Sequence, residues 1–512
     1  MATTGETPTK RTPRIVYGIA ALIVLVGFGL RVWELDRASL WVDEALTEIR
    51  MQGSLLDCWE LLLDSGNQVP LYFSLLWVLP NDSVFWLRFT SVALGAIGIA
   101  VLMFAIVSLY KRYDWALLAG ALLAVNPFHI WLSRMARPYP LAFILAVMVS
   151  YYFLELINRN RTRAIWTGFI LTSMAAYLTH YYAIGLPLAQ YILFAFILRG
   201  NRGFFRRWLG AQVIAGIPTL LWVFALSQRE AVSFGIGWIP RPGLDDVPVT
   251  FWNMMVGYDG SLPWYIIPGL IAAFAGLLSG MIYAARARTT DRVNFYWFWL
   301  IVAPLMLGFV VSLFRPLYVD RYFIVFLPAV LILMIVGWSQ LPRRSWIAAP
   351  ALLVIMAGVA NFAVIMDAGE DEKEDWRAAA EYVEAQRLPD DGLLMESPIE
   401  LLAFRRYLDD EMDYGWLLGE DSLVDQYDPS ITRLWAIYRN PQEDGHRQGI
   451  LEPFDPFAPT ESPMSDFVIE RRDLILDVYE VNGVTVLLVN VDPVGVVIQS
   501  DTESNTPSGD ED

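Results

Sequence analysis

The chain has 512 residues, 56% of them hydrophobic, and a mean hydropathy of +0.42, which is more apolar than the composition of soluble domains. Its net charge of -17 argues against a nucleic-acid-binding surface, since phosphate backbones require accessible clusters of Lys and Arg. The single cysteine, Cys58, excludes an intrachain disulfide and a CxxC motif. The composition therefore indicates a membrane protein.

The apolar residues form about eleven blocks, each close to the roughly 20 residues that a helix needs to cross the hydrocarbon layer. The predicted spans lie near residues 15–32, 85–109, 115–133, 140–157, 164–181, 183–199, 208–227, 263–285, 293–313, 322–340 and 346–366. The first block follows a basic segment but has no small-residue cleavage site, so it is predicted to be an uncleaved helix. We expect a polytopic α-helical membrane module over residues 15–366.

The basic residues collect in alternate connections between the predicted spans. These clusters are Lys10 to Arg14, Lys111 with Arg112, Arg159 to Arg163, Arg199 to Arg207, Arg286 to Arg292, and Arg343 with Arg344. Short cytoplasmic loops are enriched in Lys and Arg, so the clusters are predicted to lie inside. The N-terminal residues 1–14 are then cytoplasmic, and the odd number of spans places the C-terminal domain outside the cell membrane.

Two outer loops are long, at residues 33–85 and 228–263. In the first, the stretch from Leu46 to Leu63 mixes apolar and charged residues, as in a helix along the membrane surface. Pro70 to Leu79 is apolar but too short to span, so it is predicted to be an interfacial or re-entrant helix. A crossing there would invert every later basic cluster. The second loop, rich in Gly, Pro and aromatic residues, is predicted to be a mobile cover.

Beyond Met366 an acidic run leads into a soluble pattern, so residues 367–500 are predicted to form a small outer α/β domain. Its predicted elements are helices at Trp376 to Gln386 and Ile399 to Tyr407, strands at Gly392 to Glu396 and Thr432 to Tyr438, and a hairpin turning at Asn482-Gly483. The acidic tail, residues 501–512, is predicted to be disordered.

Unusual polar residues fall on the predicted outer face. They are Asp43 and Glu44 in the first loop, Arg134, Arg137 and Tyr139 between the third and fourth spans, His180, Tyr181 and Tyr182 between the fifth and sixth, and Arg315, Asp320, Arg321 and Tyr322 between the ninth and tenth. Arginines on the outer face go against the positive-inside bias, so their positions need a local explanation. A phosphate at the outer leaflet supplies one, since the guanidinium fork matches phosphate oxygens.

Each of these residues also has a purely structural interpretation. Asp43 and Glu44 alone are more often solvated surface charges. Arg137 and Arg321 are as often partners of Asp320 or of loop carbonyls as ligand-binding residues. His180 alone is usually a hydrogen-bonded packing residue, and tyrosines at such positions belong by default to the interfacial aromatic belt. Their coincidence on one side favours a shared site.

Three motifs in this order resemble the C-type glycosyltransferase (GT-C) superfamily, especially the branch related to protein O-mannosyltransferases and the aminoarabinose transferase of lipid A. They are Trp41-Val42-Asp43-Glu44-Ala45, Ser133 through Arg137-Pro138-Tyr139-Pro140-Leu141, and Arg321-Tyr322 followed by Pro328. The resemblance covers residues 15–366, and some bacterial and archaeal members carry a similar soluble tail domain.

The resemblance implies a hexosyl- or pentosyltransferase that uses a polyprenyl-phosphate sugar donor. The sugar would pass, with inversion, to a hydroxyl of a glycan, lipid or protein acceptor at the outer membrane face. The base would be an acidic residue of the first loop, which maps onto Asp43 with Glu44 beside it. The chain departs from many relatives at Asn67-Gln68-Val69-Pro70-Leu71, where they have His-Pro-Pro or Lys-Pro-Pro, and at Met135, where they often have an acidic residue.

The outer residues that follow the first loop are the predicted contacts of the donor phosphate and sugar. They are Arg137, Tyr139, His180, Tyr181, Arg321 and Tyr322. A phosphate leaves as an anion, so one carboxylate suffices as base, whereas a glycosidase needs two facing carboxyls. The three histidines are far apart in sequence, so no zinc site is predicted, and assistance by a divalent cation stays open.

Two rival functions remain open at this point. A transporter or flippase for a lipid-linked glycan would need intramembrane charges along a path and internal repeats, and neither is visible in the sequence. A membrane scaffold or receptor would use the tail domain to bind its partner.

Overall fold

The computed structural model of the chain describes residues 14–158, 160–197, 200–229, 239–257, 264–287, 290–341, 345–367, 374–396, 398–408, 414–416, 431–440, 463–481 and 483–490. The predictions for residues 1–13, for the acidic run before Glu374 and for residues 501–512 lie outside these ranges. The described residues form two compact units. The first holds residues 14–38 and those of 46–367, and the second holds residues 39–45 and those from 374 onward.

The described part of the first unit is helical. Its helices are α1 (Arg14–Val32), α2 (Val42–Met51), α3 (Leu55–Ser65), α4 (Pro70–Val78), α5 (Val84–Tyr110), α6 (Tyr113–Ala124), α7 (Pro127–Ser133), α8 (Tyr139–Ile157), α9 (Arg163–Tyr177), α10 (Gly185–Phe196), α11 (Arg202–Ser227), α12 (Asp246–Val256), α13 (Ile267–Arg286), α14 (Arg292–Ser312), α15 (Leu327–Ser339) and α16 (Ser345–Asp367). Short 3-10 turns, Tyr181–Ile184, Trp264–Ile266 and Asp320–Phe326, lead into α10, α13 and α15. Helix α2 begins in the second unit and enters the first after Ala45.

Seven of the described helices, α1, α5, α8, α11, α13, α14 and α15, are long and apolar enough to cross a membrane when their leading turns are included. The bent pair α6 and α7 makes an eighth if it is one span. A helix lies at each of the eleven predicted spans, so the polytopic helical architecture is confirmed, while the number of crossings stays a prediction. Helix α9 ends at Tyr177 rather than at 181, so His180 lies in the connection to α10.

The core of the first unit surrounds α15, which is buried at every position from Leu327 to Trp338 because it is apolar on all sides. Helix α13 packs tightly on it through small residues. A Cβ added to Gly280 would lie 1.8 Å from the carbonyl oxygen of Leu333, and one added to Gly337 would lie 1.9 Å from that of Gly276. Glycine is therefore required where these two backbones meet.

The third predicted span is broken between α6 and α7, whose axes differ in direction by 61°. Asn126 accepts the backbone N–H of His129 and caps α7, whose first residue is Pro127. Arg31, at the end of α1, donates to the carbonyl oxygens of Leu123 and Ala124 at 2.9 and 3.0 Å. A buried arginine thus satisfies carbonyls that the break removes from helical bonding.

The surface helix predicted over Leu46 to Leu63 is in fact two helices, α2 and α3. The break falls at Gly53, which has a φ of +89°, and Ser54 then forms a capping box with Asp57. The next element, α4, is a helix of nine residues at the predicted position and begins at Pro70. Apolar periodicity alone did not reveal the cap that divides the first segment.

Part of the predicted mobile cover at 228–263 is ordered as α12. The side chain of Asn126 donates to the carbonyl oxygen of Met254 at 2.8 Å, and Thr250, Asn253, Met254 and Val256 are buried. The prediction of a loop was wrong for this segment, because most of the Gly and Pro residues precede Asp246 and the one proline of α12, Pro248, lies in its first turn, where proline is tolerated.

The described part of the second unit is a five-stranded sheet with helices on both faces. Its elements are α17 (Trp376–Gln386), β1 (Gly392–Met395), α18 (Pro398–Arg405), β2 (Tyr414–Trp416), β3 (Arg433–Arg439), α19 (Pro463–Glu470), β4 (Ile475–Val481) and β5 (Val484–Asn490). The strand order is β2-β1-β3-β5-β4, with β1 parallel to β2 and β3, and β5 antiparallel to β3 and β4.

The faces of this sheet alternate along β3 as a two-residue period requires. Trp435 and Ile437 pack with α17 and α18, whereas Leu434, Ala436 and Tyr438 pack with α19. The predicted hairpin is confirmed by the pairing of Val481 with Val484 across Gly483, whose φ is +70°. Strand β2 and helix α19 were not predicted.

Candidate functional site

Four aromatic side chains of the first unit meet at the ends of predicted spans, and we call them the ring cluster: Tyr139, His180, Tyr182 and Tyr322. The ring centroid of His180 lies 6.0 Å from that of Tyr139, 5.9 Å from that of Tyr182 and 5.2 Å from that of Tyr322. Tyr182 and Tyr322 lie 5.3 Å apart. Three residues predicted from the sequence to share a site, Tyr139, His180 and Tyr322, are therefore brought together.

Local chain geometry sets the positions of these rings. Tyr139 is the first residue of α8, where the flanking prolines favour a helix start. His180 precedes the 3-10 turn of Tyr181–Ile184, and its Nδ1 accepts the backbone N–H of Tyr182 at 3.2 Å. The hydroxyl of Tyr182 donates to the carbonyl oxygen of Leu317, which ties the α9–α10 connection to the segment before Tyr322.

Two arginines adjoin the ring cluster, Arg137 and Arg321, and both are almost fully buried. Burial and the positive charge of Arg137 lower the pKa of His180 to about 3. The imidazole is therefore neutral at physiological pH, and because Nδ1 accepts a hydrogen bond, the ring proton is assigned to Nε2. The guanidinium of Arg321 lies 5.8 Å from the ring centroid of Tyr322.

The chain around Arg321 is held by α12. One carboxylate oxygen of Asp320 accepts the side-chain N–H of Asn253 at 2.5 Å, and the other accepts the backbone N–H of Arg321 at 2.6 Å. The hydroxyls of Thr250 and Tyr318 lie 2.7 Å apart. Neither Asn253 nor Thr250 could be recognised from the sequence, because their contacts depend on the unpredicted helix α12.

Other arginines near the predicted outer ends of spans bind backbone carbonyls. Arg88 donates to the carbonyl oxygens of Leu35 and Ala38 at 2.9 and 3.0 Å. Arg134 donates to those of Trp33 and Glu34 at 2.5 and 3.2 Å. Carbonyl binding therefore accounts for the positions of Arg88 and Arg134.

Tyr181 is not among the described ring contacts of this cluster. Its hydroxyl instead donates to the carbonyl oxygen of Gln68 at 3.2 Å, as the indole of Trp222 does at 3.3 Å. Tyr181 therefore supports the segment that enters α4, and Tyr182, mentioned but not selected from the sequence, takes the place beside His180.

Asp43 and Glu44 belong to the second unit, on the first turn of α2. Consecutive residues of a helix point about 100° apart, so the two carboxylates cannot act as a facing pair. Glu44 is fully buried, whereas Asp43 is partly exposed. Of the two, Asp43 is the carboxylate that a substrate can reach.

No group of three or more His, Cys, Asp or Glu side chains among the described residues is arranged to hold a metal ion. The ring cluster and the two arginines that adjoin it offer a neutral imidazole, phenol groups and two guanidinium groups. Such a set suits recognition of an anion and of a polar ring rather than coordination of a cation.

No protein-family model matches the chain, and no curated protein sequence matches it. Solved structures do. The apo structure of ArnT from Cupriavidus metallidurans matches with a TM-score of 0.60 and 14% identity, over 94% of this chain and 98% of that chain. The structure of the same enzyme bound to undecaprenyl phosphate matches with a TM-score of 0.57 and 14% identity, over 94% and 99%.

The apo oligosaccharyltransferase of Archaeoglobus fulgidus is similar as well, with a TM-score of 0.51 and 12% identity, over 85% of this chain and 70% of that chain. Identities this low establish the fold alone. Both neighbours are members of the superfamily that the motifs resemble. The chain therefore has the fold of the GT-C membrane glycosyltransferases, with a small C-terminal α/β unit.

Proposed function

We propose that the protein is a membrane glycosyltransferase that moves a sugar from a polyprenyl-phosphate donor to an acceptor hydroxyl at the outer face of the cell membrane. The observation that carries this proposal is the shared fold over nearly the whole chain with a transferase whose structure was solved with undecaprenyl phosphate. The three motifs that resemble the superfamily add the residues.

The donor phosphate is assigned to Arg137 and Arg321. Their buried guanidinium groups lie in a medium of low effective dielectric, where attraction to a phosphate is stronger than in water. The ring cluster beside them contributes the partly exposed rings of His180, Tyr182 and Tyr322, whereas Tyr139 is 1% exposed and packs against His180. These groups suit the sugar ring, since ligand sites combine aromatic faces with a few placed donors.

The chemical step needs one base. The acceptor oxygen attacks the anomeric carbon, its proton passes to a carboxylate oxygen of Asp43, and the bond from the anomeric carbon to the phosphate oxygen breaks. The electron pair of that bond leaves with the phosphate, so no acid is required. Attack opposite the leaving group inverts the anomeric carbon. Asp43 rather than Glu44 has this role because Glu44 is fully buried.

The outer face follows from the six basic clusters that the positive-inside rule places in the cytoplasm. In this orientation the N-terminus is cytoplasmic and the second unit lies outside. The acceptor is then a component that is exposed there, a glycan, a lipid or a protein.

The test is transfer from short-chain polyprenyl-phosphate sugars by the purified full chain, with a panel of sugars and labelled acceptor fractions. Asp43→Asn should stay folded and lose at least about a thousandfold in kcat, since the amide keeps the shape of the side chain but cannot accept a proton. Glu44→Gln tests the neighbouring carboxylate and should keep more activity. Near-normal transfer by Asp43→Asn would remove its assignment as base.

Absence of donor binding by the wild type would overturn the enzyme proposal as a whole. Movement of a labelled lipid-linked glycan between leaflets would then favour the transporter. Binding of a partner through the second unit alone would favour the membrane scaffold.

A further inference from the structure

The segment Ser39–Ala45, which carries Asp43, is built into the second unit by contacts with residues more than 330 positions later in the chain. The hydroxyl of Ser39 donates to the carbonyl oxygen of Glu374 at 2.6 Å. The backbone N–H of Leu40 donates to the hydroxyl of Tyr407 at 2.7 Å, and that of Val42 donates to Oε2 of Glu374 at 3.3 Å. The three contacts hold both sides of Trp41.

Glu374 is the centre of this arrangement, and its side chain is only 2% exposed. Oε2 also accepts the indole N–H of Trp376 at 2.9 Å, and Oε1 accepts from Arg439 at 3.3 Å. A Cβ added to Gly483, in the β4–β5 turn, would lie 3.4 Å from the Cα of Glu374. A buried carboxylate with a guanidinium and an indole as fixed partners keeps one position, because moving it would leave charges unpaired.

Val42 is the first residue of α2, so its N–H is one of those that a helix leaves without an internal partner. A carboxylate at this end satisfies the N–H and interacts favourably with the helix dipole. Ala45, one turn later, is 2% exposed and packs in the core formed by α17, α18 and the sheet, with Val42 beside it. Asp43 therefore lies between two residues that the second unit fixes, one by a hydrogen bond and one by packing.

The charge distribution around Arg439 points the same way. Burial lowers the pKa of this guanidinium, but the carboxylates of Glu374, Glu400 and Asp43 outweigh that effect and raise it overall. Arg439 is therefore a fixed positive charge near both the anchoring carboxylate and the carboxylate of Asp43.

We infer that Glu374 is a positioning residue for the transferase, which holds the first turn of α2 and so sets the position of Asp43, with Tyr407 as a second support. The C-terminal unit is then part of the catalytic machinery and not only a tail domain. This inference rests on the proposed role of Asp43 as base.

The experiment uses the full chain in lipid nanodiscs and compares Glu374→Ala and Tyr407→Phe with the wild type. Glu381→Ala is the matched control, because Glu381 is an exposed carboxylate of α17, seven residues after Glu374. Amide hydrogen exchange is measured over residues 39–45 and over β3 and β5. Transfer is measured with a short-chain polyprenyl-phosphate sugar, which gives kcat and the donor KM separately.

In Glu374→Ala, exchange over residues 39–45 should become at least tenfold faster while β3 and β5 keep their protection. The value of kcat should fall by about 10- to 100-fold with an unchanged donor KM, because small misplacements of a catalytic group have effects of this size. Tyr407→Phe should change both quantities in the same direction by about 3- to 10-fold. If Glu374→Ala does not fold, Tyr407→Phe still tests the inference, since this substitution removes only a hydroxyl.

Exchange over residues 39–45 that matches the Glu381→Ala control in both variants would overturn the inference. So would faster exchange with an unaltered kcat, since Asp43 would then not depend on this anchor. Failure of the wild type to transfer any sugar contradicts the proposed function instead, and the exchange measurement still decides whether Glu374 and Tyr407 hold the segment.

Discussion

Replacement of Arg321 by Ala should weaken binding of the donor lipid without unfolding the protein. Arg321 is 3% exposed and adjoins Tyr322 of the ring cluster, so a phosphate bound there would be held by a desolvated charge. Loss of a charged hydrogen bond costs about 1.5–3 kcal/mol. The dissociation constant of a short-chain polyprenyl phosphate should therefore rise by roughly 10- to 150-fold.

The assay is titration of the purified variant with that lipid, with the folded fraction measured in parallel. Arg88→Ala is the matched control, because Arg88 is equally buried but binds the carbonyl oxygens of Leu35 and Ala38. It should lower the thermal midpoint and leave lipid affinity per folded molecule unchanged. Lys at position 321 should restore affinity only in part, since it lacks the planar fork.

Arg321 does not hold the donor phosphate if Arg321→Ala behaves like Arg88→Ala, with lower thermal stability and unaltered lipid affinity. That result would make Arg321 a structural residue of the turn that Asp320 and Asn253 hold.

Further predictions follow from packing, protonation and orientation. Gly280→Ala should lower the thermal midpoint, with a cost of about 1–3 kcal/mol or more, because its Cβ would meet the Leu333 carbonyl oxygen, whereas Gly210→Ala, where a Cβ meets nothing, should be neutral or stabilising. His180 takes up a proton near pH 6.5 in the unfolded state and only near pH 3 in the native state, so the free energy of unfolding falls as the pH drops. Between pH 7 and pH 5 this residue should lower the free energy of unfolding by about 2 kcal/mol. Denaturation of the wild type and of His180→Gln at both pH values tests this, because the contribution should vanish in the variant. In a Cys58→Ser background, single cysteines at the exposed positions Glu34, Arg315 and Glu381 should react with an impermeant thiol reagent in intact cells. A cysteine at Lys111 should react only after the cells are lysed. The reverse labelling pattern would mean that the orientation in the membrane is inverted.

Helices with long apolar runs could be predicted from the sequence, because the length of the apolar run is enough to locate such a helix. The span at 85–109 and the observed α5, Val84–Tyr110, differ by one residue at each end. In the second unit, α17 was predicted to the residue, since its apolar positions repeat with the helical period and Asp375 caps it.

The elements that were predicted wrongly or missed depend on helix caps and on partners that are distant in sequence. Gly53 and Ser54 divide a stretch that reads as one amphipathic segment, and α12 follows a Gly- and Pro-rich run that hides it. Strand β2 has three residues, too few for a periodic pattern, and forms only as a parallel neighbour of β1.

In the candidate site, too, some residues could be recognised from the sequence and others could not. The sequence could indicate Arg137, His180 and Tyr322, because polar residues at the ends of apolar runs are conspicuous. It could not show that Asp43 lies on a segment fixed by Glu374, since 331 residues separate the two and no local pattern connects them. Nor could it separate Arg88, whose reason is two carbonyls, from an arginine that binds a ligand.

The contact of Arg31 with α6 has a consequence for the order in which the chain is built. Arg31 enters the membrane with α1, but the carbonyl oxygens that receive its guanidinium belong to residues synthesised 92 and 93 positions later. An arginine without partners at the centre of a membrane helix costs about 2.5–3.5 kcal/mol on insertion, and near a helix end the side chain reaches to the headgroups instead. Within α1 the guanidinium of Arg31 donates to the carbonyl oxygen of Gly27 at 2.7 Å, so only its contacts with Leu123 and Ala124 wait until α6 has left the ribosome. A nascent chain that ends before Leu123 should hold α1 in the bilayer less firmly than one that extends past Ala124.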